Sequence, residues 1–248
     1  MTMDHYSPAF YADLKDGSQR SAEVVVPLLI ELLACRSVVD VGCGVGTWLA
    51  EFARCGVEDY LGLDTESVPG MQLSISSDRF LARDIGRPIH LDRRFDAALC
   101  LEVAEHLPSD AAAILIANLA ALAPVIAFSA AVPFQGGTNH VNEQWPQYWA
   151  ALFAELDYVP ADALRLLLWN DSRVTWWYAQ NLLLFVHRAK IGEYPKLQPT
   201  LVTTPLSLVH PANYLQHADV RSAPVRSVVA AMPTLLARGL KALLGLDR

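Results

Sequence analysis

Three glycines at alternate positions mark the first place where this chain could hold a ligand. The run VVDV at 38–41 suits a buried parallel strand, and Gly42, Gly44 and Gly46 follow it directly. Glycine lacks a Cβ and tolerates positive φ, so a ligand can lie close to the backbone there. The G-x-G-x-G spacing differs from the dinucleotide fingerprint G-x-G-x-x-G, because Thr47 stands where the third glycine would be.

Acidic residues come at the ends of the next two predicted strands. Residues 59–64 form a short apolar run that ends in Asp64, and the run at 80–85 contains Asp84 beside Ile85. At the carboxyl edge of a parallel sheet, a carboxylate can accept hydrogen bonds from both hydroxyls of a ribose. The order of strand, glycine turn, helix and acid-tipped strands predicts the nucleotide-binding edge of a doubly wound sheet.

Two further segments carry groups suited to acid–base chemistry. The fourth predicted strand, 95–101, runs into Glu102, and Glu105 with His106 follows within one helical turn. After the fifth predicted strand, the loop at 136–146 is polar and holds His140 and Glu143. An imidazole is the natural proton acceptor at neutral pH, and loops at this edge commonly carry function.

Neighbouring residues of that loop could bind an acceptor molecule. Amide side chains could hydrogen-bond a polyhydroxylated compound, and aromatic rings could stack on it. The residues proposed to contact substrate are Glu105, His106, Asn139, Gln144, Trp145 and Tyr148. The alternative is that the aromatic residues pack the following helix against the sheet, and this interpretation is favoured for Trp149.

The motifs VVDVGCGVGTWL, FDAALCLEVAEHLP and HVNEQWPQYWAALF together resemble the class I S-adenosylmethionine-dependent methyltransferases, over about residues 36–188. Within that superfamily they are similar to bacterial enzymes of polysaccharide and secondary-metabolite pathways. The resemblance implies an α/β fold, a Rossmann-like doubly wound seven-stranded sheet with an antiparallel last strand. It implies S-adenosyl-L-methionine as cofactor, bound by Asp40, Gly42, Cys43, Gly44, Gly46, Trp48, Asp64, Asp84, Ile85 and Glu102.

The resemblance also implies chemistry for the two polar segments. Small-molecule O-methyltransferases carry a similar Glu-x-x-Glu-His, where it can bind a divalent cation. By that analogy Glu102, Glu105 and His106 are candidate ligands, and oxygen-rich ligation would favour Mg²⁺. The favoured alternative is that these residues line the cofactor pocket and support a loop. His140 is the candidate base, with Glu143 as its catalytic companion.

We therefore expect an S-adenosylmethionine-dependent methyltransferase, acting on oxygen of a sugar or small metabolite. N-methylation is the alternative within enzymes, because an amine lone pair needs less base catalysis. A non-catalytic cofactor-binding accessory protein is the alternative from another class. A nicotinamide dehydrogenase is disfavoured by the glycine spacing.

Composition limits the partners and the compartment. The 248 residues include 53% apolar and 18% charged side chains, with a net charge of −7. A negative balance argues against a nucleic-acid partner, since phosphate binding needs a basic surface. The four cysteines show no C-x-x-C spacing, and residues 1–20 are polar. A cytoplasmic protein acting on a small-molecule or glycan acceptor is the expectation.

The remaining pattern predicts three regions. Residues 1–20 are an arm that could fold over a cofactor, 21–188 the methyltransferase domain, and 189–248 a proline-containing extension. Helices are predicted at 21–34, 111–122 and 146–156, a fifth strand at 125–132, and a closing β-hairpin at 164–169 and 175–186. From Pro233 an amphipathic helix is predicted within a basic segment. It could lie on an anionic membrane surface or dock on a protein; the alternative is packing on its own domain or on a dimer mate.

Overall fold

A computed structural model describes residues 8–66, 68 and 72–218, together with positions 229, 232, 233 and 236. The strands are β1 Ser37–Val41, β2 Asp59–Asp64, β3 Phe80–Ala82, β4 Ala97–Leu101, β5 Val125–Ser129, β6 Tyr158–Ala161 and β7 Leu183–His187. The α-helices are α1 Pro8–Leu33, α2 Thr47–Arg54, α3 Ala112–Leu122, α4 Pro146–Ala154, α5 Arg165–Leu168, α6 Trp176–Asn181 and α7 Pro211–Ala218. Among the described helices, none is long and apolar enough to cross a bilayer.

The seven strands form one mixed sheet in the order β3-β2-β1-β4-β5-β7-β6. Strands β1 to β5 pair in parallel, whereas β7 runs antiparallel to β5 and to β6. The predicted Rossmann-like sheet with an antiparallel last strand is confirmed. The strand order reverses between β1 and β4, and ligands of such sheets bind outside the carboxyl ends of the strands at this point.

Helices cover both faces of the sheet because its parallel strands are apolar on both sides. On one face, α1 and α2 contribute buried residues such as Leu29 and Phe52. On the other face, α3 and α4 contribute Leu115, Leu119 and Phe153. Adjacent valines of β1 face opposite clusters, as strand geometry requires. The two packed layers hold the carboxyl edge in place.

The first helix is longer than the sequence predicts. It begins at Pro8, so residues 8–20 of the expected arm are helical, while residues 1–7 lie outside the described part. Ser21, expected near the helix start, is buried inside α1. Its hydroxyl donates to the carbonyl of Gly17 at 2.7 Å and accepts from the Thr175 amide at 3.0 Å. These contacts pack the N-terminal half of α1 against the residues before α6.

The predicted hairpin at 164–169 and 175–186 is wrong. Those segments contain α5 and α6, and the antiparallel pair is instead β6 with β7. Leucine and aromatic runs fit either type of element, so the local pattern did not distinguish them. The packing does: four consecutive residues of α6, Tyr178 to Asn181, are buried, which a half-exposed strand could not achieve. The two amides of this run later prove to belong to the site.

The chain forms two compact units, residues 1–208 and residues 209–248. In the second unit α7 is the described helix, and its His210 carbonyl accepts from the Tyr214 amide at 3.0 Å. The predicted helix from Pro233 lies outside the described residues except for isolated positions. The three predicted regions therefore stay predictions, as does any role of the C-terminal segment.

A buried ion pair fixes the connection from β6 to α5. The Arg165 side chain is fully buried; its Nε donates to Oδ1 of Asp162 at 2.9 Å and its Nη2 to Oδ2 at 2.6 Å. Its Nη1 donates to the carbonyl of Leu206 at 2.8 Å. The segment before Leu206 also covers the free edge of β6, where the Val202 amide donates to the Pro160 carbonyl at 3.0 Å.

We predict that Asp162→Ala will lower the free energy of unfolding by about 3–5 kcal/mol, because it leaves a buried guanidinium without its carboxylate. Asp171→Ala is the matched control, since Asp171 pairs at equally short range with Arg173, whose side chain is exposed. Its loss should be much smaller. Urea unfolding of both variants measures the difference; equal losses would contradict a special role for the buried pair.

Candidate functional site

The glycine turn at the end of β1 has one open position. Gly42, Gly44 and Gly46 all have positive φ, at 85°, 53° and 82°. A Cβ on Gly42 would lie 2.5 Å from Cγ2 of Val103, and one on Gly46 would lie 2.7 Å from Cγ1 of Ile75. Among the residues that the structure describes, a Cβ on Gly44 would meet no atom within 4 Å other than those of its chain neighbours. Gly42 and Gly46 thus let the protein's own side chains approach their backbone, and Gly44 faces open space. That all three glycines contact a ligand stays a prediction.

Asp64, at the end of β2, is held against this turn. Its Oδ2 accepts from the Gly44 amide at 2.7 Å, and its Oδ1 accepts from the Thr65 amide at 2.6 Å. Burial raises the pKa of this carboxyl, and the hydrogen bonds from Thr65 and Gly44 partly offset the rise. Each carboxylate oxygen keeps lone-pair capacity for a further donor. The predicted ribose-binding acid thus lies directly beside the open glycine.

Three other predicted cofactor residues lie in the turn or next to it along the chain. Asp40 is buried, and burial followed by the charge of Asp64 raises its pKa to about 7. The Cys43 thiol lies over Gly62, where a Cβ would come within 2.6 Å of its Sγ. Trp48 is buried in the core, and its ring meets that of Tyr178 edge-on at 5.0 Å. Each of these residues packs within the protein; contacts with a cofactor stay a prediction for them.

The predicted adenine-facing pair lies beyond β3. Asp84 is exposed; its Oδ1 accepts from the Gly86 amide at 3.0 Å and its Oδ2 from Nε of Arg87 at 3.2 Å. Ile85 is buried, and its carbonyl accepts from Nδ2 of Asn118 at 3.3 Å. Both residues are thus fixed at the carboxyl end of a parallel strand, as predicted.

Glu102 begins the second half of the site in a strained conformation. Its φ is 54°, unusual for a residue with a side chain, and its amide donates to the Ser129 carbonyl at 2.9 Å. Its Oε1 accepts from Nδ2 of Asn181 at 3.0 Å, and its Oε2 from Nε2 of Gln135 at 3.0 Å. Both oxygens therefore accept from amides, and each keeps lone-pair capacity for a further donor. The sequence motifs do not predict Gln135 or Asn181 as site residues. The sequence feature that could have indicated this is the adjacent pair of amides, Gln180 and Asn181, within an apolar stretch.

The potential cation ligands differ from the predicted set. Among the described residues, one ligand atom from each of Glu105, His106 and His140 lies within 4.8 Å of the others. Glu102, predicted as a ligand, is not in this group, and its oxygens accept from the two amides. Neither oxygen of Glu105 nor Nδ1 of His106 has a hydrogen-bond partner in the described part of the chain.

Burial favours the uncharged forms of two members of this group. The Glu105 side chain is fully buried, and burial followed by the charge of Glu102 raises its pKa well above the usual range. Burial, followed by the proximity of His140, lowers the pKa of His106 to about 4. These shifts favour the protonated carboxyl at Glu105 and the neutral imidazole at His106. The Glu105 carbonyl meanwhile accepts from the amides of Val141 and Asn142, which anchors the loop.

His140 and Glu143 form a hydrogen-bonded pair on that loop. Nδ1 of His140 lies 2.9 Å from Oε1 of Glu143. The same carboxylate accepts from the amides of Gly136 and Phe134, each at 2.8 Å. Because the carboxylate acts as an acceptor throughout, we assign the imidazole proton to Nδ1, which leaves Nε2 with its lone pair. Nε2 lies over Gly137, where a Cβ would come within 2.2 Å.

The other predicted acceptor residues surround this pair. Asn139 is exposed with a φ of 58°, and Nε2 of Gln144 donates to Oδ1 of Asn142 at 3.0 Å. Trp145 is 39% exposed, whereas Tyr148 is partly buried and meets Trp149 edge-on at 4.9 Å. Trp149 is buried, in agreement with a packing role. The structure thus brings the loop residues together at one edge, with Trp145 and Asn139 facing solvent.

A model of the family described as "Methyltransferase domain" matches residues 11–171, more than half of the chain. The chain belongs to this methyltransferase family. The predicted class I S-adenosylmethionine-dependent methyltransferase is confirmed at the level of family and fold.

Several known proteins are similar to this methyltransferase. Magnesium-protoporphyrin O-methyltransferase of Synechocystis sp. is 28% identical over 125 residues, which cover 45% of this chain and 51% of that protein. The chain thus spans about half the length of this curated relative. The sugar N-methyltransferase KedS8 of Streptoalloteichus sp. superposes with a TM-score of 0.57 at 16% identity, covering 73% of this chain and 92% of that one.

A third similar protein is CalS10, an amino pentose methyltransferase of Micromonospora echinaspora whose structure was solved with S-adenosylmethionine bound. It gives a TM-score of 0.52 at 17% identity and covers 73% of this chain and 98% of that one. At such identities the solved structures show a shared fold.

Because Asp40 is buried, we predict that the free energy of unfolding of the ligand-free protein depends on pH. The unfolded chain ionises this acid near 3.8 and the folded chain near 7, so wild-type stability falls as pH rises between those values, by roughly 2–4 kcal/mol. Asp40→Asn should remove this dependence. The measured quantity is the free energy of unfolding of the variant minus that of wild type, from denaturant unfolding. This difference should be larger at pH 8 than at pH 4. A difference that is the same at both pH values would contradict the buried neutral acid.

Proposed function

We propose that this methyltransferase transfers the methyl group of S-adenosylmethionine to an oxygen of a sugar or other small metabolite. The observation that carries the proposal is the pair formed by His140 and Glu143, which presents a free imidazole lone pair on the loop after β5. A hydroxyl acceptor needs a base near it, and a positioned histidine is the commonest one. The glycine turn and this loop lie at the carboxyl edge of the same sheet.

The cofactor half of the proposal rests on the edge formed by β1 and β2. Gly44 leaves open space where a side chain would stand, and the Asp64 carboxylate is fixed beside it. An adenosyl ligand with its ribose hydroxyls on Asp64 would fit this arrangement, with its methionine end toward the glycine turn. The S-adenosylmethionine bound in the similar CalS10 supports the same choice.

The division of labour follows from these positions. The cofactor supplies an activated methyl group and its own leaving group. Nε2 of His140 takes the proton of the acceptor hydroxyl as the oxygen–methyl bond forms and the sulfur–methyl bond breaks. Glu143 holds the imidazole in the required tautomer and stabilises the imidazolium that results. The backbone donors from Phe134 and Gly136 hold Glu143 in turn, so the base is fixed before the acceptor arrives.

Magnesium does not fit the donor set that the structure brings together. One carboxyl group and two imidazoles, Glu105 with His106 and His140, offer mostly nitrogen, whereas Mg²⁺ prefers oxygen ligands. This donor set is better suited to a transition metal such as Zn²⁺. The proposed reaction therefore has no metal-dependent step, and His140 acts in proton transfer.

N-methylation of an amino sugar is the second candidate. KedS8 is named as a sugar N-methyltransferase and CalS10 as an amino pentose methyltransferase, so the fold accommodates such acceptors in other proteins. An amine carries its own lone pair and would leave the pair of His140 and Glu143 with little to do. A non-catalytic accessory protein is disfavoured as well, because it would have no use for a hydrogen-bonded pair of His140 and Glu143.

The first prediction concerns the cofactor. In calorimetric titrations the wild-type protein should bind S-adenosylmethionine and S-adenosylhomocysteine and should not bind NAD. Gly44→Ala should lose this binding and keep its fold, because the new methyl group occupies open space needed by the ligand at a strain of about 1 kcal/mol. Gly56→Ala is the control, since its glycine also has positive φ and open space but lies at the end of α2. Retained binding in Gly44→Ala would contradict the proposed approach to the turn.

The second prediction concerns the base. With radiolabelled S-adenosylmethionine and matched panels of hydroxylated and aminated sugars, we expect transfer to a hydroxyl acceptor. His140→Ala should lower its kcat by about 10²–10⁴-fold while leaving cofactor affinity unchanged. His90→Ala is the control, because His90 is an exposed histidine outside the site. Unchanged turnover in His140→Ala, or transfer to amines alone, would remove the proposed base and favour N-methylation.

A further inference from the structure

A chain of buried amides connects α6 to Glu102. Asn181 and Gln135 each donate to one carboxylate oxygen of Glu102 at 3.0 Å. Oδ1 of Asn181 accepts from Nε2 of Gln180 at 2.9 Å, and Oε1 of Gln135 accepts from the same nitrogen at 3.0 Å. All three amide side chains belong to buried residues. Such a network is costly to bury unless each member is satisfied, so it is an unusual feature of a protein core.

The polarity of this chain is fixed by a backbone group. The Val132 amide can only donate, and it points at Oε1 of Gln135 at 3.3 Å. That oxygen is therefore the acceptor end of Gln135, and its nitrogen must face Glu102. The Asn181 nitrogen donates both to Oε1 of Gln135 at 2.9 Å and to Glu102. Gln135 and Asn181 consequently both direct hydrogens at the carboxylate, and Gln180 donates to the oxygens of these two amides.

The position of Glu102 gives this polarity a purpose. Glu102 follows β4, which neighbours β1 at the point where the strand order reverses. Its neighbour Val103 packs against Gly42, the first residue of the glycine turn. On the proposed function, the methionine end of the cofactor lies at this turn. That end carries an ammonium group and, in S-adenosylmethionine but not in S-adenosylhomocysteine, a positively charged sulfonium.

We propose that Asn181 and Gln135 are positioning residues that hold the Glu102 carboxylate in one orientation toward the cationic methionine end of the cofactor. The inference rests on the proposed function and adds a role for α6, whose residues have no assigned part in the reaction. The strained φ of Glu102 agrees with it, because the amides would hold a conformation that the backbone alone disfavours.

The test compares two ligands in the full-length protein. In Asn181→Leu the affinity for S-adenosylmethionine should fall about tenfold or more, as expected for a lost hydrogen bond to a charged group. The affinity for S-adenosylhomocysteine should fall less, because this ligand lacks the sulfonium charge. The measured quantity is the ratio of the two Kd values, which a merely structural loss would leave unchanged.

A double variant separates orientation of the charge from hydrogen bonding alone. In Glu102→Gln combined with Asn181→Asp, an amide and a carboxylate still face each other, but the charge has moved to α6. We expect this variant to recover part of the melting temperature lost in Asn181→Leu, because the new carboxylate also faces Oε1 of Gln135, and not to recover the wild-type affinity ratio. Recovery of both would show that the contact only supports the fold and would overturn the proposal.

Tyr158→Phe is the control for loss of a buried hydrogen bond elsewhere. The Tyr158 hydroxyl donates to the carbonyl of Ala123 at 2.5 Å, before the start of β5 and so at the opposite edge of the sheet. Its removal should lower the melting temperature and leave the Kd ratio at the wild-type value. If wild type binds neither ligand, the proposed function fails; if wild type binds and Asn181→Leu binds equally well, only the present inference fails.

Discussion

The hydrogen bond between the Gly44 amide and the Asp64 carboxylate is the contact on which the cofactor half of the site depends. It joins the turn after β1 to the end of β2, two points twenty residues apart in the chain. The turn can reach this position because Gly42 and Gly46 have no side chains, which lets Val103 and Ile75 pack against their backbone. Without that packing, the Gly44 amide would have no fixed direction, and the buried Asp64 carboxylate would keep only the Thr65 backbone amide as a donor.

Four acids of the site, Asp40, Asp64, Glu102 and Glu105, lie in or after β1, β2 and β4, and burial raises the pKa of each one. Backbone amides donate to Asp64 and side-chain amides donate to Glu102, and these hydrogen bonds partly offset the rise. The pKa of Asp40 is raised further by the charge of Asp64, and that of Glu105 by the charge of Glu102. The amide donors therefore favour the charged form at Asp64 and Glu102, whereas the neighbouring charges disfavour it at Asp40 and Glu105.

The sequence predicted local features well and long-range polar contacts poorly. Strands β1 to β5 are short apolar runs with turn residues beside them, and the glycine spacing indicates the turn itself. The hairpin failed because leucine and aromatic runs are compatible with strands and helices alike. The link from Glu102 to Asn181 crosses 79 positions, and no periodicity carries such information. Likewise, the packing roles of Gly42 and Gly46 depend on Val103 and Ile75, which only the fold brings near them.

The loop after β5 decides between two uses of His140. A proton acceptor and a metal ligand both need an imidazole lone pair, and Glu143 occupies Nδ1, so both uses would compete for Nε2. Three donors of the loop orient the Glu143 carboxylate: two backbone amides and the imidazole itself. The raised pKa of the buried Glu105 favours its protonated form, and loss of that proton would add to the cost of binding a cation. His140 needs no such change to accept a proton. The local hydrogen bonds therefore favour acid–base chemistry at this edge of the sheet.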